Sequence, residues 1–401
     1  MIKSRANHPV DNEWFPVGLS MAQAGISVIS SSYKRSLLVG GIFLLAVFYI
    51  LSTRPRIKQF QGETMGTTYH VSYVGTLFSH PVDDISKRVH NALHDVDQRM
   101  STYREDSELM QFNRAPVGEP FKVSQDLVDL VIASQRISKM SDGAYDVTVG
   151  PLVNLWGFGP KRHDPKAENT ADRSAVTDEK TVKAPEFIQW MLDNYPGEVP
   201  SDKAIAKAKQ QVGYQYVSAD QAESTLTRLK PVFVDLSSIA KGYGVDQAAA
   251  VLEDTGITNF MVEVGGEVKV SGSKPDGNRW RLAVRGPDLG GGKPAAIVSP
   301  GNKALATSGD YLNFFEIDGQ KYSHSINPVT GRPEMNRVAE VAVIADTVAE
   351  ADALATMFMV LGDEKGLQLA NQEGIAAYFT YHSGDSFESV ASQAFKRFLV
   401  N

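Results

Sequence analysis

The 401-residue chain contains no cysteine. This absence excludes thiol catalysis, disulfide bonds, thiolate metal ligands and a lipid attached through an N-terminal cysteine. Any metal must therefore be held by oxygen or imidazole. The chain also lacks a cluster of basic side chains, because its 40 Lys and Arg residues are scattered among 47 Asp and Glu and the net charge is -7. A nucleic-acid surface needs clustered positive charge, so we expect no nucleic-acid partner.

One apolar run departs from the composition of a soluble protein. Residues 36–52 carry no charge and follow a polar N-terminal segment, 1–35. About 17 apolar residues is the lower limit for crossing a bilayer, so we interpret the run as a membrane anchor or signal segment. No small-x-small cleavage site follows it, which favours an uncleaved anchor; a start at Met21 would shorten the leader. Basic residues flank the run on both sides and leave its orientation open: Lys34, Arg35, Arg54, Arg56 and Lys58.

The rest of the chain mixes helix and strand patterns without a regular strand-helix-strand rhythm. This predicts an α+β fold with mixed sheets and packed helices. Helical spacing is found over 83–100, 124–140, 202–211 and 349–361. Strand patterns are found over 260–270 (with two glycines inside), 280–285, 304–311, 314–324, 338–345 and 375–381, the last strand, and 214–234 indicates a hairpin. The charged stretch 161–200 is predicted to be a surface insertion with one short helix over 187–192.

The segment from Phe233 to Asp246 is the most informative part of the chain. A short apolar run ends in Asp235, and small residues, Lys241 and two glycines lead into a helical pattern. The pattern predicts strand, tight turn and helix. Turn amides and a helix N-terminus suit a phosphate or pyrophosphate. On local pattern alone, an ordinary strand-to-helix connection with a solvated lysine fits at least as well.

Three further residues could serve phosphate chemistry. Asp352 and Thr356 lie four apart on one helix, so their oxygens share a face; with a carbonyl from a nearby turn they would suit Mg²⁺. The competing interpretation is surface decoration, but their helix is otherwise apolar, and buried polar groups need partners. His324 precedes a Pro/Gly turn and is either a base or acid near phosphate or a hydrogen-bonded corner.

Glycines and aromatic side chains add weaker signals. Gly265 and Gly266, between Glu263 and Glu267, would let the backbone approach a ligand, although a bulge explains them equally. Tyr103 and Trp156 could stack on a flat ring, with core packing as the alternative.

Taken together, these segments resemble the ApbE family, the FAD:protein FMN transferases. The resemblance covers about residues 60–390 and leaves 391–401 as a C-terminal tail. Matching segments occur in order: Gly66-Thr67 after Met65; 100–104 with 107–109; 143–152; 156–159; 234–237 with 240–243; 265–267; 307–311; 324–331; and 351–356. Nine segments in register make chance agreement implausible.

The resemblance implies a central FAD-binding cleft and a Mg²⁺-dependent transfer of FMN from FAD to a threonine hydroxyl of a target protein, with release of AMP. By position, the FAD site would be lined by Met65, Tyr103, Ala144, Tyr145, Asp146, Asp235, Lys241 and Ile326. Asp352, Thr356 and a backbone oxygen of Ser238 would hold the metal. The catalytic residues would be Asp352 and His324, the latter beside the reacting phosphate.

The resemblance also implies partners and a location. Family acceptors are flavoprotein subunits of sodium-pumping NADH:quinone reductases and Rnf-type complexes, which would place the catalytic domain on the periplasmic side of a bacterial inner membrane. Many relatives are lipoproteins with a cysteine, whereas this chain must rely on its apolar segment. Two alternatives stay open: a Mg²⁺-dependent FAD pyrophosphatase, and a membrane-tethered FAD-binding protein without catalysis.

Overall fold

The computed structural model describes residues 31–159, 199–286, 294–310, 314–317, 320–384 and 386–400. The chain forms two units, one of Met1–Arg54 with Thr76–Phe78 and one of Pro55–Gly75 with Ser79–Asn401. In the first unit the predicted apolar helix is present as α1, Ser31–Thr53. Its segment Ser36–Thr53 is long and apolar enough to cross a membrane. Whether it does so stays a prediction.

The second unit is built on an eight-stranded sheet in which every neighbouring pair is antiparallel, in the order β1-β2-β6-β7-β10-β15-β16-β17. The strands are β1 Arg56–Thr64, β2 Thr67–Gly75, β6 Phe260–Val264, β7 Glu267–Ser271, β10 Ala304–Gly309, β15 Val338–Ala345, β16 Ala376–Ser383 and β17 Ser386–Ala391. Together with the helices given below, this sheet confirms the predicted α+β class.

The described helices of this unit are α2 Val82–Met100, α3 Glu108–Arg114, α4 Gln125–Met140, α5 Gly150–Leu155, α6 Asp202–Lys209, α7 Ala240–Asp254, α8 Val348–Leu361 and α9 Asp363–Gln372. Helix α8 packs on β10 and β15, α7 packs on β6 and α8, and α2 packs on α7. The apolar spacing predicted for α2 is the face it buries, at Ile85, Val89, Leu93, Val96 and Met100. Each such side chain contributes about 1.5–3 kcal/mol when fully buried.

Short strands and 3₁₀ turns complete the unit. The strands are β3 Phe121–Lys122, β4 Val217–Asp220, β5 Thr225–Arg228, β8 Leu282–Val284, β9 Ala296–Val298, β11 Phe314–Ile317, β12 Gln320–Ser323, β13 Ile326–Asn327 and β14 Arg332–Pro333, and the turns are Tyr214–Tyr216 and Lys396–Phe398. A separate small core joins α5, α6 and β13 through Leu152, Trp156, Phe158, Ile205 and Ile326. There the indole Nε1 of Trp156 donates to the Gly331 carbonyl at 2.9 Å. Because its ring is buried in this core, Trp156 packs in the core, which was the alternative to stacking on a ligand.

Three sequence predictions are corrected. Residues 233–235 form no strand and pair with none of the described strands; the Asp235 amide donates to the Val147 carbonyl at 2.6 Å instead. The pattern over 260–270 is a hairpin rather than one strand, because Gly265 (φ 58°) and Gly266 (φ 102°) form its turn. Strand β16 is not the last, since β17 follows it.

Two further predictions concern the charged insertion and the C-terminal tail. The predicted insertion, 161–200, lies outside the described residues except for positions 199 and 200. Its predicted helix over 187–192 also lies outside them. The predicted C-terminal tail is part of the fold, because Phe395 and Phe398 are buried in a core cluster with Trp280.

Candidate active site

The first turns of α7 and α8 approach each other unusually closely. A Cβ added at Gly242 would lie 2.5 Å from the carbonyl oxygen of Val348 and 2.8 Å from the Cα of Ala349. Real Cβ atoms do not come that near to backbone. Glycine at this position therefore permits the contact between the two helices.

Asp246 fixes the contact one turn further along α7. Its two carboxylate oxygens accept from the amides of Val348 and Ala349, each at 3.0 Å. Those amides belong to the first turn of α8, where N–H groups have no partner within the helix. Burial raises the pKa of Asp246, and the two backbone bonds oppose that rise. Asp246 is not among the predicted site residues, although Gly242 and Asp246 share a helix face at i, i+4 spacing.

Asp352, on α8, points back to α7. Its side chain is buried, and its Oδ2 accepts from the Gly242 amide at 3.1 Å. In a regular helix that amide would donate to the carbonyl of Ser238, four residues earlier. No described N–H or O–H takes its place there, so the Ser238 oxygen is available to a ligand.

Lys241 and Glu267 complete what we call the Asp352 cluster, consisting of Asp352, Lys241 and Glu267. The Nζ of Lys241 lies 2.5 Å from Oε1 of Glu267. Glu267 is fully buried, whereas the Lys241 side chain is 36% exposed. The cluster holds two carboxylates and one ammonium, and its net charge is -1 when all three are ionised.

The pKa shifts follow from burial and charge. Burial raises the pKa of Asp352 and of Glu267, and the positive charge of Lys241 opposes both rises. Burial by itself lowers the pKa of Lys241, but the charges of Asp352 and Glu267 outweigh it and raise the pKa above the ordinary value. Lys241 therefore stays protonated.

The cluster fits a divalent cation whose coordination shell is completed by ligands from outside the cluster. The Oε2 of Glu267 is buried and accepts no hydrogen bond from any described residue, which is costly unless a donor or cation is supplied. No group of three or more His, Asp or Glu with metal-ligand spacing occurs among the described residues. Mg²⁺ commonly takes one or two carboxylates and fills its octahedron with water and phosphate oxygens.

Three other predicted site residues lie next to this cluster in the fold. Thr356 follows Asp352 by one turn of α8 and is half-buried. The Ser238 hydroxyl donates to the Tyr145 hydroxyl at 3.0 Å. Burial raises the pKa of Tyr145 first of all, with the charge of Asp352 adding to the rise, so this phenol stays protonated.

Met65, at the tip of the β1–β2 hairpin, contacts helix α7. It adopts φ 47°, which is uncommon for a residue with a side chain, and Gly66 follows with φ 71°. Its Cε would lie 2.7 Å from a Cβ added at Gly244. The missing side chain at Gly244 therefore makes room for Met65 beside α7.

Tyr103 and Asp235 form a neighbouring pair. The Tyr103 side chain is exposed, and desolvation of its hydroxyl followed by the charge of Asp235 raises its pKa. Asp235 accepts from the amide and the hydroxyl of Ser237, at 2.9 and 2.6 Å. An exposed phenol ring such as that of Tyr103 can stack on a planar group.

The carboxylate of Asp146 is occupied by the protein. Its Oδ1 accepts from the amide and hydroxyl of Thr148, at 2.8 and 2.7 Å, and its Oδ2 accepts from the Tyr214 amide at 2.8 Å. Burial raises its pKa against these three bonds. Asp146 therefore fixes the loop that carries Ala144 and Tyr145, and a ligand contact here would use the backbone.

Ile326 belongs to the small core around Trp156, and His324 contacts Phe158 of that core. Ile326 is buried there, and the His324 ring meets Phe158 edge-on with 6.3 Å between ring centroids. The histidine follows β12 directly, at the turn into β13. Its assignment as a catalytic residue, like the other site assignments, stays a prediction.

The fold is that of flavin transferases of known structure. The flavin transferase ApbE from Vibrio cholerae superposes with a TM-score of 0.71 at 37% identity, over 86% of this chain and 100% of that one. The apo form of the Pseudomonas stutzeri flavinyl transferase ApbE gives 0.72 at 35%, over 86% and 97%.

The sequence comparison agrees. Residues 65–379 match the model of the ApbE family. Relatives named FAD:protein FMN transferase are 39% identical in Vibrio cholerae (84% of this chain, 91% of that one) and 36% identical in Escherichia coli K12 (85% and 89%). The chain belongs to the ApbE family, and the predicted resemblance and transferase class are confirmed.

Proposed function

We propose that the protein is a Mg²⁺-dependent flavin transferase that moves FMN from FAD onto a threonine hydroxyl of a flavoprotein and releases AMP. The observation that carries the proposal is the Asp352 cluster beside the available Ser238 carbonyl. A buried site with two carboxyl groups, a carbonyl oxygen that accepts no hydrogen bond from a described residue, and one partly exposed lysine would suit Mg²⁺ together with a diphosphate.

The proposed metal ligands are the Asp352 carboxylate, the Thr356 hydroxyl and the Ser238 carbonyl. When bound, Mg²⁺ would offset the negative charge on the diphosphate oxygens. The partly exposed Lys241 would add a fixed positive charge for the same oxygens. Glu267 would hold the lysine in place, and Tyr145 would hold Ser238.

The remaining residues bind the flavin dinucleotide or move a proton. We assign Met65, Tyr103 and Asp235 to the exposed side of the FAD site, and Ala144, Asp146 and Ile326 to its walls. His324 would accept the proton of the acceptor threonine as its oxygen bonds to the FMN phosphorus. The bond between that phosphorus and the AMP oxygen breaks, and AMP leaves with the electron pair.

The variants Asp352→Ala and His324→Ala test this assignment. With purified acceptor, FAD and Mg²⁺, we expect no flavin fluorescence on the acceptor from Asp352→Ala, since the metal is lost. We expect His324→Ala to bind FAD as the unaltered protein does but to transfer FMN slowly. Full transfer by the first variant, or lost FAD binding by the second, would refute these roles.

An assay without acceptor separates transfer from hydrolysis. We expect only slow AMP release from FAD and Mg²⁺ when no acceptor is present. Fast turnover would identify the protein as an FAD pyrophosphatase, and stable retention of unaltered FAD with acceptor present would identify a binding protein.

We further propose that α1 anchors the protein in a bacterial inner membrane with the catalytic domain in the periplasm. Its 18-residue apolar window supports this. The acceptors would be flavoprotein subunits of sodium-pumping NADH:quinone reductase or Rnf-type complexes. Extraction of membranes at alkaline pH should leave the full chain in the pellet, and release into the supernatant would contradict the anchor.

A further inference from the structure

The short loop Thr76–Phe78 carries two adjacent, exposed apolar side chains. Leu77 is 67% exposed and Phe78 is 66% exposed. The loop follows β2 in the chain, yet it belongs to the same unit as α1. Two neighbouring large apolar residues in water are unfavourable, so their exposure suggests that something apolar covers them.

The loop is bonded to the last turn of α1. The Leu77 amide donates to the Ser52 carbonyl at 3.0 Å, one of the terminal helix carbonyls that have no donor within the helix. The window Ser36–Thr53 contains 18 residues, which at about 1.5 Å per residue gives ~27 Å. The hydrocarbon core is about 30 Å thick. In a membrane-spanning α1, the Ser52 carbonyl and the loop bonded to it lie at the edge of the hydrocarbon.

The chain leaves no long tether between α1 and the domain. Helix α1 ends at Thr53 and β1 begins at Arg56, so the connection spans at most about 11 Å at ~3.6 Å per residue. The polar layer of one leaflet is itself about 5–8 Å thick. Arg54, Arg56 and Lys58 follow the helix and complement the charge of anionic headgroups.

We propose that Thr76–Phe78 is a second membrane contact, in which Leu77 and Phe78 insert into the lipid interface beside the end of α1. The occupant of this apolar surface is the bilayer itself. The inference rests on the proposed anchoring by α1. Its consequence is that the protein meets the membrane at two points of the chain and not through a single helix.

Spin labels can test the contact in the full chain. Because the protein has no cysteine, Leu77→Cys and Phe78→Cys each give one labelling site without background. The labelled protein is placed in bilayers of phosphatidylethanolamine and phosphatidylglycerol, and label accessibility to oxygen and to a water-soluble nickel chelate is compared. Two variants serve as references: Leu45→Cys within α1, 69% exposed, and Leu229→Cys in the second unit, 54% exposed.

We expect the oxygen-to-nickel accessibility ratio at positions 77 and 78 to be several-fold higher than at 229 and lower than at 45. A ratio equal to that at 229, with a lipid-like ratio at 45, would refute the loop contact and leave the anchor intact. Labels at 77 and 78 that neither reagent reaches would show a protein covering the loop, which also overturns the proposal. A water-like ratio at 45 would refute the anchor and the loop contact with it.

Discussion

Replacing Lys241 by methionine tests the charge balance of the Asp352 cluster. The cluster has two carboxyl groups and one ammonium, so Lys241→Met removes its only positive charge and leaves both acids without their cation. Breaking a fully buried ion pair costs about 3–5 kcal/mol. Because the Lys241 side chain is 36% exposed, solvent screens part of this, and we expect a loss of about 2 kcal/mol of unfolding free energy at pH 7.

The loss should depend on pH in a defined direction. Burial already raises the pKa values of Asp352 and Glu267, and removal of Lys241 takes away the charge that opposes those rises. Between the unfolded and folded pKa values, the folded state then binds more protons than the unfolded state. Stability therefore falls as pH rises above about 4–5. The slope is limited to about 1.4 kcal/mol per pH unit for each proton.

Two matched variants supply the control. Glu267→Gln and Asp352→Asn each remove one acid of the cluster, leave Lys241 in place and retain similar side-chain shapes. We expect each to cost at most about 1–2 kcal/mol, as for an altered hydrogen bond to a charged group. Denaturant unfolding at pH 5, 6, 7 and 8, without added Mg²⁺, measures all three. Equal destabilisation by Lys241→Met and Glu267→Gln, or a Lys241→Met loss that shrinks as pH rises, would refute the charge argument.

The remaining predictions concern how α7 meets α8. Gly242→Ala should cost about 1–3 kcal/mol of unfolding free energy, because its Cβ meets the backbone of Val348. Gly244→Ala should cost less, because its Cβ meets the flexible end of the Met65 side chain most closely and Leu93 only at 3.4 Å. The reverse order in thermal or denaturant unfolding would contradict the packing. Asp246→Ala should cost about 0.5–2 kcal/mol of unfolding free energy as a lost helix cap and should weaken Mg²⁺ binding in titration calorimetry. Asp246→Asn should retain part of the stability and part of the Mg²⁺ affinity. Unchanged stability in Asp246→Ala would show that the cap does not position α8.

Periodic patterns predicted the scaffold well. The spacing of apolar residues in α2 reflects which face is buried, and the nearly uniform apolar sequence of α8 reflects burial on almost all sides. Both kinds of information are local. The turn at Gly265-Gly266 was harder, because two glycines in an apolar run fit a bulge and a hairpin equally until the partner strand is known. The unpaired 233–235 segment was assigned to a strand for the same reason: its composition is strand-like, but pairing depends on distant residues.

The candidate site was predictable in part. Asp352 stood out because a polar residue in an otherwise apolar helix needs a partner, and Lys241 because it lies in a glycine-containing turn that leads into a helix. The partnership of Lys241 with Glu267 and the contact of Asp246 with the first turn of α8 were not identified. A carboxylate on a strand or helix gives no sign of which distant group it faces. Asp146 shows the converse: its position suggested a ligand contact, whereas three hydrogen bonds within the protein occupy its oxygens.

The most direct test of the central claim is to follow both products of one reaction. Acceptor flavoprotein, FAD and Mg²⁺ are incubated with the unaltered protein or with Asp352→Asn, and tandem mass spectrometry of the acceptor is compared with the AMP released. The account predicts one FMN on a threonine for each AMP with the unaltered protein and neither product with Asp352→Asn. Free FMN appearing with AMP while the acceptor stays unmodified, or equal transfer by Asp352→Asn, would contradict it.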